Sequence, residues 1–215
     1  MSDARWSVTD GRAISFGSTV SNDDDLRVCG DVRNKRVLEL GLFGTIPNCV
    51  TMAQRGARSI AIDPSRENVQ RARQAAVNSE VSVEFHEGEL ADLGFLMNAV
   101  IDLALCVHQI TLDTDIARLF RQVHRVLRPE AGFIFAVPHP MSAVFDGNDA
   151  TARRRYGDTT PTIGELAMAL QRANFSIDVM HELKPTHQPN AVAPSTLVVR
   201  ARKLAAINPA RRLEL

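Results

Sequence analysis

Two carboxylates and a glycine turn define the chemistry this sequence can reach. Glu39 and Gly41 lie in Val37-Leu38-Glu39-Leu40-Gly41, an apolar run that ends in the tight turn Leu42-Phe43-Gly44-Thr45-Ile46-Pro47-Asn48 and opens a helix. Twenty-two residues past Gly41, at the end of a second apolar run, stands Asp63. A carboxylate placed there can accept hydrogen bonds from two ribose hydroxyls. Two ligand classes suit the layout, a dinucleotide and an adenosyl sulfonium compound, and the turn chemistry separates them. A dinucleotide lays its pyrophosphate on bare backbone and asks for G-x-G-x-x-G, but the second and third glycine positions here hold Phe43 and Ile46. Pro47 removes an amide near the helix start, and the Glu39 carboxylate would repel phosphate and attract an ammonium group. Charge therefore favours a cationic amino-acid tail. A plainer account, with Glu39 merely paired at a strand end and Asp63 merely capping the next helix, stays open.

Two histidines fall beyond strand ends on the same side: His108 after the fourth apolar run and His139, in Pro138-His139-Pro140, after the fifth. Either can take a proton from a hydroxyl or amine near neutral pH, or instead fix a loop by hydrogen bonding. His124 shares a helix face with Arg118, Arg121, Arg125 and Arg128, which reads most simply as a solvated face. Asp102 reads as structural. Arg153-Arg154-Arg155-Tyr156 hints at an anionic acceptor, although adjacent arginines in a loop usually face solvent. No Ser-His-Asp set, Walker loop or metal-ligand cluster is present, which sets hydrolase and kinase chemistry aside.

The elements that must hold these groups follow from pattern. Short apolar runs rich in β-branched residues alternate with amphipathic stretches: candidate strands at Arg36–Leu40, Ser59–Ile62, Val81–Phe85, Ile101–Val107, Phe133–Val137, Ser176–His181 and Thr196–Ala201. Most are too continuously apolar to be half-exposed, so an α/β sheet covered by helices on both faces is expected. Helices are expected after Asp63-Pro64-Ser65, over Thr114–Leu127 ending before Pro129, and over Ile163–Ala173 closed by Asn174. Residues 139–161 lack periodicity and form a long connection. The chain divides into a 1–32 segment that packs on or caps the ligand site, a 33–204 domain and a flexible 205–215 tail. With 215 residues, 45% hydrophobic and 23% charged, it is an ordinary globular chain. Lys plus Arg and Asp plus Glu both count 25, so no global field draws it to nucleic acid or an anionic bilayer. No apolar run is long enough to span a membrane and no signal-type stretch follows Met1, so a cytoplasmic location is expected. Cys29, Cys49 and Cys106 have no disulfide or zinc spacing and read as buried thiols.

These residues resemble the class I S-adenosylmethionine-dependent methyltransferases, in the form of a small domain with no appended module. Lys35-Arg36-Val37-Leu38-Glu39-Leu40-Gly41 is similar to the family's first motif, Ala61-Ile62-Asp63-Pro64-Ser65 to its second, and Glu87-Gly88-Glu89-Leu90-Ala91-Asp92-Leu93 to its third, in which Glu89 approaches the adenine amino group. Ile101-Asp102-Leu103-Ala104-Leu105-Cys106-Val107-His108 resembles the fourth strand and its exit, Arg121 to Pro129 the helix before the fifth, and Ala167 to Phe175 the last helix. The resemblance implies a Rossmann-like seven-stranded, mostly parallel sheet with an antiparallel last strand. It further implies methyl transfer from S-adenosylmethionine to a small molecule without a metal, and cofactor contacts from Glu39, Gly41, Gly44, Asp63, Pro64, Glu89, Leu90 and Cys106. A non-catalytic descendant with weakened or lost cofactor binding, serving as a binding or regulatory module, is the alternative; a nicotinamide-dependent oxidoreductase ranks third. The family's first loop carries three glycines, and this chain has Phe43 and Thr45 at the second and third. If both need positive φ, each stores strain on the order of 1 to 3 kcal/mol; alternatively Gly44 takes over the turn and Phe43 packs under the sheet or beside the methionine tail.

Overall fold

Val37, Leu38 and Leu40 have no exposed surface, and a run apolar on both sides of the pleat is stable only as a central strand. This strand, β1 (Arg36–Leu40), lies between two parallel neighbours, β2 (Arg58–Asp63) and β4 (Ile101–Val107), with Leu38 opposite Ile60 on one side and Ala104 on the other. The protein is seen here as a computed structural model that describes residues 11–145 and 149–205. The first ten residues of the N-terminal segment, and the expected tail beyond Ala205, lie outside them. Among the described residues β3 (Val83–Glu87), β5 (Leu127–Pro138), β6 (Phe175–Leu183) and β7 (Thr196–Lys203) complete a seven-stranded sheet in the order β3-β2-β1-β4-β5-β7-β6. Only β7 runs against the others, pairing antiparallel with β5 and β6. The α/β class, strand number and reversed last strand are those expected.

The helices are α1 (Asp23–Leu26), α2 (Asn48–Gln54), α3 (Arg66–Asn78), α4 (Ile116–Val126) and α5 (Ile163–Arg172). Local chemistry sets their starts. The Ser65 hydroxyl accepts from the Asn68 amide, the Asp115 carboxylate from Arg118, and Thr162 and Glu165 form a reciprocal capping box. Asn174 takes φ 62° just past α5, as expected. The fifth strand starts six residues earlier than its apolar run. Leu127 pairs with Ile101 before an irregular step in the ladder, and Pro129 and left-handed Glu130 sit in that irregular stretch, where the missing donor is tolerated.

Leu119 and Phe120 of α4 and Leu166 and Leu170 of α5 pack on one face against Leu38, Leu40, Ala104, Cys106, Phe133 and Phe135. Opposite, α2 and α3 cover Ala61 and Phe85. The rest of that second face is covered by irregular chain: Ile14, Phe16, Val28 and Val32 lie on Val37, Leu103, Leu105, Ile134 and Val198. The N-terminal segment therefore stands in for a helix. The arginine face of α4 and its exit is solvated at Arg118, Arg121 and Arg128, as expected, and half-buried at Arg125. Within it Arg118 pairs at the surface with Asp92, Arg125 donates to the carbonyls of Leu93 and Leu96 in the β3–β4 connection, and Arg128 pairs with Asp102 at the start of β4. His124 rests edge-on against Phe175. All three cysteines are buried and unpaired in disulfides, and no helix among the described residues is long and apolar enough to cross a membrane.

Candidate active site

The sheet reverses its winding between β1 and β4, and in open α/β sheets the crevice outside the carboxyl ends of strands at that reversal is where ligands bind. Gly41, at φ 74°, leaves β1 there, its amide held by the Ile62 carbonyl at 2.8 Å. Gly44, at φ 83°, makes the second left-handed turn, while Phe43 and Thr45 keep ordinary backbone conformations. The loop is thus shifted by one residue and carries none of the strain that glycine loss at positions 43 and 45 would otherwise impose. Phe43 packs under the sheet with Phe16 and Met52, its ring 5.3 Å from that of His108.

Glu39 shares the β1 face of Val37, which is the face α2 covers, so its side chain runs beneath the start of that helix. Its Oε2 accepts the Cys49 amide at 2.6 Å, and its Oε1 is buried with no partner among the described residues. Complete burial raises its pKa from 4.5 to about 7, against the lowering effect of the amides of Cys49, Asn48 and Phe43. Asp63, 2% exposed, ties the two turns together. Its Oδ2 accepts Leu42 N–H at 2.8 Å, and its Oδ1 accepts Ser65 N–H at 2.8 Å and Asn68 Nδ2 at 3.1 Å. A carboxylate has about four acceptor sites, so Oδ2 retains room for one more donor.

Beside Asp63 opens a cavity of about 370 Å³ lined by Pro64, Glu89, Leu90, Gln109, Asp115 and Arg118 among others. The structure brings Gly41, Asp63, Pro64, Glu89 and Leu90 to successive strand ends: Glu89 after β3, Asp63 and Pro64 at β2, Gly41 at β1. It does not bring Cys106 there. That residue lies on the opposite face of the sheet from Glu39, fully buried, and burial, with Glu39 adding to it, pushes its thiol up to about 12.

The two histidines part company. His139 is 1% exposed; its Nδ1 accepts the Met141 amide at 3.1 Å, so its Nε2 carries the proton and donates to Glu182 at 2.8 Å. Both nitrogens are occupied in holding the loop after β5. His108 donates from Nε2 to the Phe16 carbonyl at 2.9 Å, which leaves Nδ1 as a buried acceptor with no partner among the described residues. Burial lowers its pKa, and its backbone sits at φ 54° immediately after β4. Asn48 closes the same end: its side-chain oxygen accepts Ser15 N–H at 2.8 Å and its amide donates to Ser15 O at 3.0 Å.

Sequence reasoning passed over Gln109. It lies two residues beyond β4, and its side chain rests on Gly41, so closely that a Cβ on that glycine would meet Gln109 carbons at 2.3 and 2.5 Å. The available signal was position alone: an amide side chain beside His108 at the strand exit of the winding reversal.

The residues 38–135 match the family model described as "Methyltransferase domain". Over 155 residues the chain is 26% identical to a ubiquinone biosynthesis O-methyltransferase of Neisseria meningitidis serogroup C, covering 63% of this chain and 64% of that relative's length. The chain thus spans a little under two thirds of the curated relative it matches. Its fold superimposes on an S-adenosylmethionine-dependent methyltransferase from Mesorhizobium loti with TM-score 0.70 and 25% identity, over 84% of this chain and 96% of that one. The cyclase SpnF shares the fold at 19% identity and TM-score 0.67, over 96% of this chain and 88% of that one. With the strand order, the glycine turn and the strand-end acids, these matches make the chain similar in fold and over residues 38–135 to the class I S-adenosylmethionine-dependent methyltransferases.

Proposed function

We propose that this chain transfers the sulfonium methyl of S-adenosylmethionine to a small-molecule acceptor bound at the end of the crevice near His108. The observation that carries the reading is the series Glu89, Asp63, Gly41 on the adjacent strand ends of β3, β2 and β1, spaced for an elongated adenosyl ligand lying across them. The residues fit such a donor. The cavity beside Pro64 and Leu90 accepts a flat base, Asp63 Oδ2 has capacity for a ribose hydroxyl, and Glu39 Oε1 is a buried acceptor with no hydrogen-bond partner among the described residues. When bound, the cofactor supplies an already activated methyl group, so the chain's task is to align a nucleophile and exclude water. Glu39, Gly41, Gly44, Asp63, Pro64, Glu89 and Leu90 are the donor residues in this reading; Cys106 contributes only as core beneath them.

Where the acceptor must lose a proton, His108 is the base. Its tautomer is fixed by Phe16 O, its Nδ1 has no partner among the described residues, and its left-handed backbone is the kind of local strain that collects at working sites. His139 instead supports the acceptor-side loop. The curated relative is an O-methyltransferase, which makes a hydroxyl oxygen the first acceptor atom to test. The second reading, a binding module that has lost turnover, is favoured by the engagement of Asp63 and Glu39 with backbone amides.

Calorimetry with S-adenosylhomocysteine, followed by turnover on a panel of hydroxyl acceptors, separates them. Binding with transfer that drops by about 10²-fold in His108→Asn is the expected result. Binding without transfer to any acceptor, or no heat at millimolar ligand, rejects the methyltransferase and favours the module, whereas ordinary affinity with transfer eliminates the module.

A further inference from the structure

We infer that Gln109 is a latch over the methionine end of the donor site, which must swing away before the donor can bind; the inference rests on the donor reading above. The side chain spans the winding reversal itself. It starts beyond β4, crosses to β1 and lies on the bare backbone of Gly41, with its Cγ, Cδ and Oε1 at 2.3, 2.5 and 2.7 Å from where a Cβ would stand. Its Nε2 donates to Val107 O at 3.2 Å and to Leu42 O at 3.4 Å, one carbonyl on each side of the crevice. Gln109 also forms part of the wall of the cavity that contains Pro64, Glu89 and Leu90. The adenosyl half therefore has an open seat, whereas the space over Gly41, where an elongated ligand would carry its amino-acid half, is filled.

The bonds that hold the latch are long, and both go to carbonyls at the partly buried rim, so they are weak relative to a well-formed pair at 2.9 Å. Gln109 thus behaves as a movable cover. A site that is competent for only a fraction of the time binds its ligand more weakly by that fraction, and the loss falls on association because the cover is already displaced in the complex. The latch also sorts ligands: adenosine, which lacks the amino-acid half, has no need to move it. S-adenosylhomocysteine does.

The test measures binding of S-adenosylhomocysteine and of adenosine to the wild type, Gln109→Ala and Gln109→Asn by calorimetry and by surface plasmon resonance. The side chain is at the crevice rim, and a thermal melt confirms that each variant is folded. The expected result is a gain of about three- to tenfold in S-adenosylhomocysteine affinity for Gln109→Ala, appearing in the association rate, with a smaller gain for Gln109→Asn and none for adenosine. Unchanged or weaker binding of S-adenosylhomocysteine by Gln109→Ala, or a gain confined to dissociation, overturns the latch, as does an equal gain for adenosine. Loss of S-adenosylhomocysteine binding by the wild type itself would instead overturn the donor reading.

Discussion

Glu39 shows how one buried group can make a whole chain pH-sensitive. Its folded pKa of about 7 lies above the ordinary 4.5, so between those values the folded state keeps a proton that the unfolded chain releases. Stability from this group is therefore fully present below about pH 4.5, falls as pH rises through the window, and levels off above pH 7. Complete burial of the carboxyl makes the sum on the order of 3 kcal/mol. Glu39→Gln keeps an oxygen for the Cys49 amide and removes the titration. Urea unfolding should show the variant gaining about 2–3 kcal/mol on wild type between pH 5 and pH 8; parallel pH profiles for the two proteins would contradict the assignment. At this scale the acids and the glycine turn were legible because their types and spacing are tied to strand ends. The direction of the Glu39 carboxylate was not, since it depends on which pleat face α2 covers. Phe43 and Thr45 looked like sources of strain for a related reason: a one-residue loop shift moves the left-handed conformation to Gly44 and leaves no trace in composition.

Among the elements, strands with continuous apolar runs were readable almost to the residue, β1 and β4 most clearly, because a buried parallel strand has no polar face to confuse the pattern. The irregular cover formed by residues 13–32 was not readable. It has no period, and its place is set by individual bonds such as those of Asn48 to Ser15 and His108 to Phe16. The solvated arginine side of α4 was readable from its helical wheel, but the bonds of Arg125 to Leu93 and Leu96 were not, because a wheel does not show what lies beside it. Asn48→Ala would strand the Ser15 amide and carbonyl in a buried position. Thermal or urea unfolding should register a loss of about 2–3 kcal/mol, with limited proteolysis cutting first between residues 13 and 20. Cleavage elsewhere, at wild-type rates, would mean that this segment is held by other contacts.

Over the whole molecule, fold class followed from the alternation of elements, which the seven-stranded sheet reproduces. The acceptor remains the least legible part, because the N-terminal segment and the 139–161 connection, the stretches without a period, are where sequence pattern says least. The asymmetry between the two sheet faces predicts uneven stability. One face is sealed by α4 and α5 around Phe120 and Phe133, and the other is partly sealed by irregular chain. Amide hydrogen exchange should find residues 13–20 opening well before β4 and β5, and S-adenosylhomocysteine should slow exchange in that segment along with the Gly41 turn. Uniform protection across both faces would argue against this division. Because the same stretch both waterproofs the sheet and anchors His108, a single breathing motion there would admit an acceptor and slacken its base together, so that the doorway and the tool behind it share one hinge.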